Sequence, residues 1–411
     1  MIRNLIVIYI FLASTTFFRF TYLPKNVALL ASFGAIILML VGIIVDLVYY
    51  RGKRFPQKFG VVVGLFLLAV IFSIFGARFG HNQSYVLSLW VLTPMYSYFF
   101  YYFLHSIRIK PEDLEKLIIY MGVAFIGLFF MQYVLYPTML FGVRAQEARG
   151  TIRIFIPGGS FAVFVYFLTL QRSLSGGNKV YLLFNLMYLT VPILQGTRSS
   201  IATLLFGTVI FILFSRKVKS KLLVTMMMVL AGLLVFIAFQ DIFMSLVQVS
   251  EEQANQDEDD VRMRAARFFL TEFYPNKINY FLGNGMSHMM SPYGMKEFYF
   301  KATYGFYISD LGLIGEFVRY GVVILIAIVL TFYKFFTVQI ESKYGFFRFW
   351  ALLLVLSEVL GGMFVRADVI IVITAIMYIY DVSNFKLKQN AAHQLALKTE
   401  LENEKITPVY D

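Results

Sequence analysis

Twelve apolar runs, each about the length a helix needs to cross a bilayer, decide what this chain can become. They lie at roughly 4–22, 27–50, 59–77, 85–105, 116–140, 154–171, 180–196, 199–215, 221–240, 307–333, 346–365 and 368–385. Backbone groups inside hydrocarbon must bond within their own segment, so runs of this kind become helices. The residue balance agrees. Of 411 residues, 59% are hydrophobic and 15% charged, with a mean hydropathy of +0.72, outside the range of an ordinary soluble domain. The expected fold is an all-α polytopic membrane protein of about twelve transmembrane helices. The first run has an early arginine, as a signal peptide does, but no small-x-small cleavage site, and is read as a retained span. With no cysteine, disulfides, thiolate metal sites and a cysteine nucleophile are excluded.

Lys and Arg then set the orientation. If the N-terminus is cytoplasmic, every inner loop is basic: Arg51 to Lys58, Arg108 to Lys116, Arg172 and Lys179, Arg216 to Lys221, and Lys334 to Arg348. The net charge of +12 is thus a topology signal, and nucleic-acid binding is a poor explanation of it. The expected organisation is spans one to nine over 1–240, one large outward loop over 241–306, and spans ten to twelve over 307–385. A cytoplasmic tail over 386–411, polar and expected to be loosely ordered, completes it.

The outward loop begins with six carboxylates and no cation between Ser250 and Asp260. This run reads as a solvated loop, because the ligand order and the glycine of a calcium-binding hand are missing. The following "VRMRAARFFLTEFYP" predicts an amphipathic helix, with Ala266, Phe269, Leu270 and Phe273 on one side and Arg264 and Arg267 on the other.

Outward-facing arginines recur at the ends of several spans: Arg78, Arg144, Arg149, Arg153, Arg198, Arg262, Arg264, Arg267 and Arg366. Guanidiniums gathered there suit phosphate oxygens, which match their forked, permanently charged donors. Taken singly, Arg78, Arg144 and Arg366 read better as interfacial side chains or partners of an acid such as Glu147, Glu316 or Asp368. Arg198 differs, since it sits in the tight turn between spans seven and eight with no acidic neighbour in sequence.

Four segments in order carry a resemblance. "RIFIPGGSFAVF" (Arg153 to Phe164), "GTRSSIATLL" (Gly196 to Leu205), "DDVRMRAARFFL" followed by "FLGNGMSH", and "YISDLGLIGEFVRYGVVIL" (Tyr307 to Leu325) together resemble the O-antigen ligase/polymerase superfamily. These are the Wzy-type and WaaL-type membrane glycosyltransferases, of GT-C-like fold. The likeness covers the C-terminal two thirds of the chain. The family's His-Asn pair ahead of the Leu-Gly-Leu segment is missing, for that stretch here is "FKATYGFY".

The resemblance implies a metal-independent, inverting glycosyl transfer on the outer face of the bacterial cytoplasmic membrane, with no cofactor. The donor would be a glycan on undecaprenyl diphosphate. The acceptor would be another lipid-linked repeat unit (polymerase) or a lipid A core sugar (ligase), with a chain-length regulator protein as a further partner. The empty histidine position favours the polymerase. On this reading Arg153 and Arg198 hold the diphosphate, and Arg262 or Arg264 closes on it from the outer loop. His288 is the base or else caps a turn; Asp310 is the second candidate base or else an N-cap. Gly283 and Gly285 permit a turn. Phe298, Tyr299, Phe300 and Tyr304 are candidates to line an acceptor groove, whereas "YSYFFYYF" (Tyr96 to Phe103) reads as packing or lipid-facing surface. The competing class is a twelve-span lipid-linked oligosaccharide flippase or other carrier, for which Asp46 and Glu358 are the acids found within apolar runs.

Overall fold

A computed structural model of the chain describes residues 2–50, 55–143, 145–148, 151–174, 180–214 and 261–406, with isolated helical residues at 226, 237, 240 and 244. The expected ninth span apart from residues 226, 237 and 240, the acidic run before Val261, Arg144 and Arg149 lie outside the described residues.

The chain is mostly helical. In order, the helices are α1 (Ile2–Ser14), α2 (Lys25–Tyr49), α3 (Gly60–His81), α4 (Tyr85–Val91), α5 (Phe99–Ile107) and α6 (Pro111–Leu135). A short hairpin of β1 (Ala145–Ala148) and β2 (Thr151–Ile154) leads into α7 (Gly159–Leu174), α8 (Val180–Leu194) and α9 (Arg198–Phe214). After these come α10 (Val261–Thr271), α11 (Asn279–Leu282), α12 (Pro292–Tyr304), α13 (Leu313–Tyr320), α14 (Val322–Thr337), α15 (Phe346–Gly361) and α16 (Ala367–Ile406).

Four of the described helices, α2, α3, α6 and α16, are long and apolar enough to cross a membrane. Their surroundings differ. Of the apolar stretch of α16, 94% is buried against protein, while for α2 the share is 11%. A helix apolar on every side belongs at the centre of a bundle, and α16 is buried from Asp368 through Asn384. On α2, Leu30, Ile37, Val41, Ile44, Leu47 and Val48 stay exposed, an apolar face larger than a water-soluble monomer tolerates.

Three apolar runs do not form single helices. The first stops at Ser14, where Thr16, Phe17, Phe18 and Arg19 turn in the left-handed region with φ of 47°, 51°, 55° and 56°. Pro94, which has no N–H to donate and clashes with the preceding turn, divides the fourth into α4, a 3-10 stretch Thr93–Tyr98, and α5. The tenth breaks at Gly312 and Gly321. At Gly321 φ is +72°, and a Cβ would lie 2.0 Å from the Phe281 carbonyl oxygen, so only glycine lets that strand of backbone pass. The tail also differs from expectation, since α16 continues as helix to Ile406. The "YSYFFYYF" stretch is packing surface, with Tyr98, Phe100 and Tyr101 fully buried.

Charged contacts tie the basic loops together at one end of the bundle. Arg108 pairs with Asp46, Arg172 with Glu115, and Lys343 with Glu112. Asp381 of α16 accepts from the Tyr101 hydroxyl at 2.5 Å and the Lys58 amide at 3.0 Å, with the His105 ring 3.2 Å away. The described part of the predicted outer loop forms its own small apolar cluster, in which Ala265, Phe269 and Phe273 pack with Tyr293, Ile308, Leu311 and Val318.

Candidate functional site

The segment "RIFIPGGS" is held from two sides. Arg153 lies on β2 opposite Gln146, and β2 runs along the C-terminal end of α8. There Thr151 Oγ1 donates to the Leu194 carbonyl at 2.8 Å, Arg153 Nε to the Gln195 carbonyl at 2.9 Å, and Gln195 Nε2 to the Ile154 carbonyl at 3.0 Å. The last carbonyls of a helix carry partial negative charge, so a guanidinium settles there readily. Phe155 lies 5.2 Å from it as a cation–π partner. Partial burial draws the Arg153 guanidinium below the ordinary arginine value, yet it stays a cation at any physiological pH.

Asp368, at the start of α16, fixes the other side. Its Oδ2 accepts from the Gly158 amide at 3.2 Å and the Ser160 hydroxyl at 3.1 Å, and Arg366 Nη2 approaches to 3.4 Å. Arg366 is therefore paired with an acid, the reading preferred for it when taken singly.

The α8–α9 turn follows directly. Gly196 has φ +59°, and the Thr197 amide and hydroxyl both donate to the Pro192 carbonyl at 3.2 Å. This ends α8 and makes Arg198, half-buried, the first residue of α9. A cation at a helix N-terminus adds to a field that is already positive, and such a place favours an anion.

These parts border one cavity of about 660 Å³. Its lining includes Gln195, Thr197 and Ser200 from the α8–α9 turn, Pro157, Gly159 and Ser160 from the entry to α7, Arg366 and Asp368 from the start of α16, and Arg19. Arg153 bonds to the lining residue Gln195, and Arg198 follows the lining residue Thr197. Arg19 and Arg366 thus line the cavity itself, while Arg153 and Arg198 are joined to residues of its lining. Asp368 is the one acid lining it among the described residues.

Arg19 has no counterpart among the site residues expected from sequence. Its signal is the polar group "STT" followed by an arginine within a run that hydropathy counts as a span. The left-handed turn that carries it is bolted in place: the Gly142 amide donates to the Arg19 carbonyl and Thr21 to that of Leu140 at 2.8 Å. Fully buried Gln132 in turn holds the 138–141 loop, accepting from the amides of Leu140 at 2.7 Å and Phe141 at 3.3 Å and donating to the Thr138 carbonyl at 2.9 Å. Left-handed backbone costs an L-residue roughly 1–2 kcal/mol, so four in a row persist only where the surroundings over-determine them.

The outer-loop residues form a separate group. Arg262 and Arg264 project from the exposed face of α10, and neither lines this cavity. His288 sits in a turn: its Nδ1 accepts from the Met290 amide at 3.2 Å, and its own amide donates to Gln83 Oε1 at 2.9 Å. That geometry is a turn cap's. Asp310 is exposed in a 3-10 turn, and the cap position of α13 is taken by Gly312, so Asp310 is not the N-cap. Gly283 (φ +78°) and Gly285 (φ +72°) form a close-packed turn, a Cβ on Gly283 falling 2.3 Å from the Arg319 carbonyl oxygen. Of the aromatics on α12, Phe298, Tyr299 and Tyr304 are exposed, while the Phe300 ring packs 4.6 Å from that of Phe268.

Compared with known proteins, the chain matches no protein-family model and no curated protein.

Proposed function

We propose that this chain is a membrane glycosyltransferase that polymerises undecaprenyl-diphosphate-linked repeat units into a surface polysaccharide, working at the outer face of a bacterial cytoplasmic membrane through about twelve spans. The observation that carries the proposal is that Arg19 and Arg366 line one cavity, with Arg153 bonded to its lining residue Gln195 and Arg198 next in sequence to its lining residue Thr197, and that Asp368 is the one acid lining it among the described residues. Such a site suits a ligand bearing more than one negative charge, and a lipid diphosphate supplies it.

In the proposed step the acceptor hydroxyl oxygen bonds to the anomeric carbon on the face opposite the diphosphate. The bond from that carbon to the phosphate oxygen breaks, and its electron pair leaves on the diphosphate. The hydroxyl proton passes to a general base or to solvent; the candidates expected from sequence, His288 and Asp310, do not line the cavity. The arginines stabilise charge that grows as the bond breaks, so their contribution is larger in the transition state than with bound donor. The hollow fixes the donor's anomeric carbon relative to the acceptor.

The test is Arg198→Ala in a strain lacking the chromosomal copy, with surface glycan resolved on a gel and membrane insertion checked by immunoblot. Loss of long chains with a single repeat retained on the core is expected. Wild-type chain lengths would refute the diphosphate role of Arg198, and accumulation of unattached lipid-linked chains would make the protein a ligase instead. Arg198→Lys keeps the charge without the fork and is expected to fall between the two.

A further inference from the structure

Two glutamates meet in the interior of the bundle. Glu316 lies on α13 and Glu358 on the last turn of α15; they are 2% and 1% exposed, and their carboxyl groups are within hydrogen-bonding reach of each other. Glu358 Oε2 accepts from the Met363 amide at 2.5 Å and the Phe364 amide at 3.2 Å. Glu358 Oε1 and both oxygens of Glu316 are buried with no hydrogen-bond partner. Arg319, one turn along α13, sends its guanidinium to Glu297 at 3.7 Å and pairs with neither glutamate. Two buried carboxylates in contact repel unless a positive charge lies between them.

A third group points the same way. Tyr320 follows Glu316 by four residues, which puts both on one face of α13, and long side chains of a helix lean toward its N-terminus. Tyr320 is fully buried, its hydroxyl has no partner, and it lies within electrostatic range of Glu316. Backbone closes the remaining side. A Cβ on Gly362 would meet Glu316 Oε1 at 3.2 Å and the Gly312 carbonyl oxygen at 3.5 Å, so glycine at the end of α15 leaves both oxygens bordering one small gap. The final carbonyls of α15 add partial negative charge there.

We infer that Glu316, Glu358 and Tyr320 bind one monovalent cation of the size of sodium, with the Gly312 carbonyl as a further oxygen ligand. Interrupted helices whose C-terminal ends and free carbonyls converge with acids are a setting in which membrane proteins hold sodium. Calcium takes roughly 6–8 oxygens, more than Glu316, Glu358 Oε1, Tyr320 and Gly312 supply. No set of three His, Asp or Glu side chains placed to hold a metal occurs among the described residues. The ion fastens α13, where the outer loop re-enters the bundle, to the end of α15. Its route in is the 660 Å³ cavity, whose lining includes Ser357, the residue before Glu358, and Met363, whose amide Glu358 holds. This site stands independently of the donor reading above.

The test uses the full chain in detergent micelles, equilibrated in choline chloride and titrated with radioactive sodium in a scintillation proximity assay. Saturable binding of one ion per chain is expected, displaced by unlabelled sodium and not by choline at equal ionic strength, with the unfolding midpoint rising as sodium is added. Glu316→Gln offers an amide N–H to Glu358 in place of the ion. It should fold in choline and lose both sodium binding and the sodium-dependent shift. Tyr320→Phe keeps the ring, loses the hydroxyl and should bind about tenfold or more weakly. No sodium bound above the choline background would overturn the inference, since a proton shared by the two carboxyls then suffices. So would unchanged binding in Glu316→Gln, or displacement of sodium by micromolar calcium, which marks a divalent site.

Discussion

Asp368→Ala tests whether the entry to α7 is held as the contacts indicate. The carboxylate is 5% exposed and accepts from Gly158, Ser160 and Arg366 through one oxygen. Its two buried donors are the Gly158 amide and the Ser160 hydroxyl, and a buried hydrogen bond to a charged group is worth about 1.5–3 kcal/mol. Arg366 contributes little, because its side chain is 48% exposed and exposed pairs are worth about 0–1 kcal/mol. Loss of an acid from the first turn of α16 removes about 0.5 kcal/mol more. The expected destabilisation is about 3.5–7.5 kcal/mol, and Asp368→Asn, which keeps an acceptor without the charge, should lose about half of that. Reversible unfolding in mixed micelles, followed by fluorescence of Trp350 in the same cavity wall, gives the value. A difference below about 1 kcal/mol between alanine variant and wild type would refute the anchoring argument. The functional sign is opposite: removing Asp368, the one acid lining the cavity among the described residues, should leave anion binding by the folded fraction unchanged or tighter.

Two further variants separate support from chemistry. His288→Asn retains a side-chain acceptor for the Met290 amide, as asparagine does in its own turns, so a capping role predicts glycan extension within about twofold of wild type. A general base would instead lose about a hundredfold or more. Gln132→Leu leaves the Leu140 and Phe141 amides and the Thr138 carbonyl without partners, at about 1–3 kcal/mol each. Hydrogen exchange should accelerate at Leu140 and Phe141, and unchanged protection there would show that Gln132 does not hold the loop.

Hydropathy reads what depends on local composition. The helices α2, α3, α6 and α16 fall where the apolar runs place them, because each run is long and uninterrupted. The breaks at Ser14, Gly312 and Gly321 were not legible, for they answer to contacts far along the chain: Gly321 is needed because Phe281 passes it. The β1–β2 hairpin escaped notice because four-residue strands carry too little alternation to register. Arg153 and Arg198 were visible as cations at span ends, whereas Arg19 disappears into the average of its run. The outer-loop residues Arg262, Arg264, His288 and Asp310 occupy a different part of the fold from the cavity, a division that linear order does not express.

The last helix has a mechanical consequence. Forty residues make a rod about 60 Å long, twice the hydrocarbon thickness of about 30 Å. Its near half is buried from Asp368, in the cavity wall, through Asn384, and residues 388–399 are exposed. A rod held along its first half carries any tilt of that half into a swing of the rest. Tilting it by 10° sweeps the far half, about 30 Å long, through about 5 Å. The exposed arm is thus a needle on a dial, and a spectroscopic label near Leu395 reads the seating of Asp368 from the far side of the protein.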